Sequence, residues 1–140
     1  MQTNNINSND LNNFWSFVDT LNFDSNSSNA ETVRRDLLKR LTPNTAELYK
    51  EVCDKLAYQL YKTVTTKNIP LYLYACYEAI AKGKEYYSIS ISKPGSIVTL
   101  SESIDPLNHF GNCLPTDTDY YGSASTVTAE VNEFEEDYLN

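Results

Sequence analysis

Five stretches of this chain repeat apolar residues at three-four spacing, the period of a helix with one buried face. In the first, Asp10 is placed as a cap, and Leu11, Phe14, Trp15, Val18 and Leu21 form the stripe. Residues 24–29 (DSNSSN) read as a polar linker. The second helix is predicted over 30–41, with Val33, Leu37, Leu38 and Leu41 inward and Arg34, Arg35, Lys39 and Arg40 mostly outward. Pro43 cannot continue that helix, and Asn44 followed by Glu47 has the spacing of a capping box. A third helix, about 45–64, has the strongest pattern: Leu48, Val52, Leu56, Leu60 and Val64, with Tyr49 and Ala57 alongside. The fourth starts near Pro70, a residue suited to a first helical position, and carries Leu71, Ala75, Ala79 and Ile80 toward Gly83 as a stop. The last is predicted over 124–138, capped by Ser125 or Thr126. Val127, Val131, Phe134 and Tyr138 share one face there, and Glu130, Glu133, Glu136 and Asp137 fall outside it.

Between the fourth and last helices the pattern changes period. Tyr87-Ser88-Ile89-Ser90-Ile91-Ser92 alternates, as a strand does. Residues 97–100 supply a partner across Lys93-Pro94-Gly95, which makes a small β-hairpin near residues 86–100 the local expectation. Residues 101–122 hold the steps Asp105-Pro106 and Leu114-Pro115, show little periodicity and read as loop. The expected fold is mainly α: one compact domain of about five helices over residues 10–140, preceded by an Asn-rich flexible N-terminus at 1–9.

The order of these features resembles an uncharacterised bacterial family of small, mainly helical domains. Its opening Phe-Trp-x-apolar-apolar-Asp motif is similar to Phe14-Trp15-Ser16-Phe17-Val18-Asp19. Its Leu-rich helix pair is similar to Leu37-Leu38-x-x-Leu41 with Leu48. Its Gly-Lys-x-x-Tyr stretch and Pro-x-Ser-apolar turn are similar to Gly83-Lys84-Glu85-Tyr86-Tyr87 and Pro94-Gly95-Ser96-Ile97. The resemblance covers residues 11–98. The chain lacks the family's Asp-rich Gly turn and its second Trp. The resemblance implies helix over residues 86–91, against the local alternation; helix is the reading favoured there, with the hairpin as the alternative, and the resemblance transfers no functional residue.

Charge changes the picture more than composition does. All eleven Lys and Arg lie between Arg34 and Lys93, among six acids, a local surplus of five positive charges. Four acids precede that window and nine follow it, and the net charge is −8. The surplus has the wrong sign for a direct nucleic-acid binder. Segregation of this kind produces a directional field, suited to a basic protein partner or to the chain's own basic middle. No stretch approaches the roughly 20 apolar residues of a membrane span. The N-terminal residues have no basic or apolar leader pattern, and the three cysteines are few, odd in number and widely spaced. Together these point to a cytoplasmic protein with reduced thiols.

Candidate chemistry is sparse. His109 and Cys113 are four apart, a spacing open to a metal ion or a Cys–His nucleophile pair, but neither a third ligand nor a group to orient the ring accompanies them. No Gly-rich phosphate loop exists, and the C-terminal carboxylates read as a charged face rather than a catalytic pair. The expectation is therefore no enzyme, no cofactor and no metal. The expected activity is that of an acidic inhibitor of immunity or anti-defence type. Its contact residues would be Tyr120, Tyr121, Glu130, Glu133, Glu136 and Asp137, set against a basic partner such as a nuclease toxin or a nucleic-acid-binding protein. DNA mimicry is a narrower form. The alternative is a self-assembling adaptor, with a homodimer open, whose acidic helix docks on the face of Arg34, Arg35, Lys39 and Arg40.

Overall fold

A computed structural model of the chain describes residues 6–21, 23, 30–64, 69–93, 95–102, 108–116 and 119–120. In chain order these form α1 (Ser8–Leu21), α2 (Ala30–Arg40), α3 (Pro43–Tyr61), α4 (Ile69–Ala81), α5 (Lys84–Ser92), α6 (Gly95–Ser101) and a 3-10 turn at Phe110–Asn112. Six helices and no strand occur among the described residues, so the mainly α expectation holds. The predicted linker at 24–29 and the predicted helix at 124–138 lie outside them.

Two helix starts differ from the sequence reading. α1 begins at Ser8, because Asn7 does the capping: its Oδ1 accepts from the amides of Asn9 (2.8 Å) and Asp10 (3.4 Å). Ser8 and Asn9, expected within a flexible N-terminus, are therefore helical. α3 begins at Pro43 rather than beyond Asn44. Thr42 is its N-cap, with Oγ1 accepting from the Thr45 amide at 3.2 Å, and Pro43 fills the first helical position, where no amide is required. Thr42→Ala is expected to cost about 1 kcal/mol in urea unfolding. Asn44→Ala should leave the midpoint unchanged.

The local hairpin pattern gives way to a pair of helices, α5 and α6, in line with the helix favoured over residues 86–91. A lone pair of strands would leave backbone groups of both edges without a sheet, whereas a helix satisfies its own. The serines that wrote the alternation turn back on the helical backbone: Ser90 Oγ donates to Tyr86 O at 2.9 Å and Ser92 Oγ to Ile89 O at 2.9 Å. Gly83, at φ +107°, ends α4 and admits the sharp entry into α5.

α4 is the central helix, packed against α3, α5, α6 and the 3-10 turn. Its side chains from Leu73 to Ile80 are all buried, as a helix enclosed on every side requires. Tyr74 and Tyr77 can thus both be interior while lying on different faces. α1 closes the α3 side with Phe17 stacked on Tyr49 (4.6 Å between ring centroids) and Trp15 against Tyr87 (5.6 Å). Tyr87 donates to Leu56 O at 2.7 Å. Burial, with lesser contributions from Cys76 and Cys53, raises its hydroxyl well above the ordinary phenol range, so it stays a neutral donor.

Candidate partner-binding surface

The segment expected as loop at 101–122 is, where described, a packed piece of the core. α6 runs to Ser101, and His109, Phe110, Gly111, Cys113, Leu114 and Pro115 are all buried. Its 3-10 turn packs on α2 and α4. Asn108 Oδ1 accepts from the Ala30 amide at 3.1 Å, at the first residue of α2. Arg34 Nη1 donates to both the backbone O and the Oδ1 of Asn112, each at 3.2 Å. Arg34 Nε lies 3.7 Å from Asp119 Oδ1, with the two side chains only 12% and 6% exposed. The other Asp119 oxygen accepts from the Thr116 amide (2.8 Å) and hydroxyl (3.2 Å). Arg34 is therefore turned into the fold, not outward as its spacing suggested.

Tyr120 is half-buried and donates its hydroxyl to Leu41 O at 3.0 Å, so its polar tip is engaged inside the chain. The other expected contact residues, Tyr121, Glu130, Glu133, Glu136 and Asp137, lie outside the described residues.

His109 is 1% exposed and stacks on Tyr74 at 4.2 Å and 18°, with Tyr77 5.9 Å away on a tilt. The Tyr77 hydroxyl donates to Asp54 Oδ1, which also receives Lys50 Nζ at 2.8 Å. Lys50 in turn sits 5.4 Å from the Tyr77 ring centroid. Cys113 Sγ approaches the backbone oxygen of His109 at 3.8 Å. The imidazole is thus packed against two aromatic rings, and the thiol faces the His109 carbonyl. Among the described residues no group of three His, Cys, Asp or Glu could hold a metal ion. An open groove is lined by Asp19, Lys82, Gly83, Lys84, Glu85 and Ser88, residues of mixed charge.

Most ion pairs of the described residues are local. Arg35 meets Glu31 at 2.7 Å, Arg40 meets Asp36 at 3.0 Å, Lys50 meets Asp54 at 2.8 Å and Lys55 meets Glu51 at 2.9 Å, each one helical turn apart. Lys62 and Lys82 lie over the rings of Tyr58 (5.6 Å) and Tyr86 (5.5 Å). Among the described residues, Asp119 alone of the acids after Lys93 takes a cation.

Sequence reasoning missed the outward apolar residues. Ile89 on α5 is 50% exposed and Val98 on α6 is 39% exposed. The signal was the alternation itself. On a strand, residues two apart share a face; on a helix they are separated by about 200°. With Tyr87 buried, Ile89 must face away from the core. No helix of the described residues is long and apolar enough to cross a membrane. No family model, curated protein or solved structure matches the chain.

Proposed function

We propose that this chain is a non-catalytic cytoplasmic inhibitor, of immunity or anti-defence type, that uses its acidic C-terminal residues to block a basic protein. The candidate partners are a nuclease toxin or a nucleic-acid-binding protein. The observation that carries this reading is the pattern of ion pairs. Arg34, Arg35, Arg40, Lys50 and Lys55 already have carboxylates of their own chain, and only Asp119 of the described late acids is among them. Four of these five cations pair within one helical turn and make no call on the late acids, so on this reading the surplus behind the net charge of −8 is available to a partner. Opposite fields speed encounter, and aromatic anchors near the acids slow release. Cys53, Cys76 and Cys113 are buried and form no disulfide, which suits a reducing compartment.

The test is capture of a purified basic nuclease, or of a basic host protein identified by mass spectrometry, on the immobilised full chain. Binding is expected to inhibit the captured protein and to weaken at least about tenfold between low and high salt. The variant Glu130→Gln/Glu133→Gln/Glu136→Gln/Asp137→Asn should lose it. Salt-independent capture, or capture unchanged in the variant, rejects the reading.

A second reading, the self-assembling adaptor, is favoured by one observation: Asp119 and Tyr120 fasten to α2 of their own chain. Under it, deletion of residues 124–140 breaks a dimer or unfolds the domain. Under inhibition the fold survives the deletion and capture is lost.

A further inference from the structure

We propose that α2 is a latched arm, which leaves the domain by itself, ahead of the other helices, when its polar contacts with residues 108–112 and 119–120 let go. This motion belongs to the fold and requires no partner.

α2 has little apolar hold on the core. Ala30 and Leu37 are its buried residues, and Val33 packs half-buried beside them. α3, by contrast, buries seven side chains, from Ala46 to Tyr61. Four of the eleven residues of α2 are Arg or Lys and two are acids. Among the described elements its main packing partner is the 3-10 turn, whereas α3, α5 and α6 each pack on the central α4.

Polar contacts hold the arm at three points along its length. At its start, Asn108 Oδ1 accepts from the Ala30 amide. In its middle, Arg34 donates to Asn112 and faces Asp119. One residue past its end, the Tyr120 hydroxyl donates to Leu41 O. The mount that supplies the first two is itself core: His109, Phe110, Cys113 and Leu114 are buried, and the turn packs on α4. Hydrogen bonds are short and directional, so a small lift of the helix breaks all three points together. A free helix of eleven residues does not persist in water, so release and unravelling coincide. The motion stops at Thr42 and Pro43, which are fixed in the start of α3. Release carries Arg34, Arg35, Lys39 and Arg40 away from the core and leaves Asp119 without its guanidinium, so the open form has a different directional field from the closed one.

Native-state hydrogen exchange of the full chain, followed by NMR at rising urea below the unfolding transition, tests this directly. The amides of Leu37, Leu38, Lys39 and Arg40 are expected to share one opening. They should be at least about a hundredfold less protected than those of Leu56 in α3 and Ala79 in α4, with a weaker dependence on urea because less surface is exposed. The amides of Asn112 and Cys113, bonded to His109 O and Phe110 O, should stay with α4. Tyr120→Phe removes one contact without altering α2 and should lower the protection of α2 about fivefold. Opening of α2 with α3 and α4 at one urea slope, opening of Asn112 and Cys113 together with α2, or unchanged α2 protection in Tyr120→Phe would each overturn the arm.

Discussion

Arg34→Ala is expected to destabilise the domain by about 3 kcal/mol, the largest effect of any single charge removal among the described residues. The guanidinium holds Asn112 through two hydrogen bonds and faces Asp119, joining α2 to a segment almost eighty residues away in the chain. Beside Arg34 the Asp119 side chain is only 6% exposed, and without the guanidinium it keeps Thr116 as its remaining neutral donor residue. Loss of one partner from a buried pair typically costs about 3–5 kcal/mol. The 3.7 Å separation and the residual exposure of Arg34 place this case at the lower end. Urea unfolding should show the loss, and the melting temperature should fall by roughly 10 °C. Arg34→Lys should recover little, because one ammonium cannot serve Asn112 and Asp119 in two directions at once. Arg35→Ala is the control: its pair with Glu31 is 70% and 60% exposed and should change stability by less than about 0.5 kcal/mol. Equal effects at Arg34 and Arg35 would refute the role given to the clamp.

Gly111→Ala should cost about 2 kcal/mol through overpacking alone. A methyl at Gly111 would lie 2.7 Å from Cδ2 and 2.9 Å from Cγ of Tyr77, and 3.0 Å from Cε1 of His109. The two Tyr77 atoms are ring atoms near the base of the side chain, so they cannot swing aside as a flexible tip would. Tyr77 is held further by its hydroxyl on Asp54 and by Lys50 beside its ring, and His109 lies flat on Tyr74. The 3-10 turn must therefore lift from α4. Tyr77→Ala, which removes both Cγ and Cδ2, should make the added Gly111→Ala much less costly. A double-mutant cycle in urea measures that coupling, and additive losses would show that Gly111 is needed for some other reason.

Much of the fold was legible because helical burial repeats locally. Leu48, Val52, Leu56 and Leu60 announce α3 without any knowledge of what they touch, and Phe14, Trp15 and Val18 do the same for α1. Cap positions were less legible. Asp10 and Asn44 satisfy the same local rules as Asn7 and Thr42, and only the path of the incoming chain selects between them. The local hairpin pattern misled for a related reason. Ser-Ile alternation scores as strand only if one assumes that every isoleucine seeks the core, and Ile89 does not.

The candidate surface was legible as charge and opaque as geometry. Counting residues along the chain locates a positive middle and an acidic end, because sequence order alone decides which charges are neighbours one turn apart on a helix. It cannot decide that Arg34 turns inward while Arg35 stays out, since that depends on Asn112 and Asp119 arriving from the far end of the chain. Nor could it decide that the His109 ring stacks on Tyr74, or that Tyr120 bonds to Leu41. Helix content, the apolar faces and the segregation of charge follow from interactions a few residues apart, and the sequence by itself determined them. The tertiary structure alone decided which polar groups are enclosed and which apolar ones are left outside. Burial is a property of the assembled fold, set by contacts whose closure no local pattern encodes.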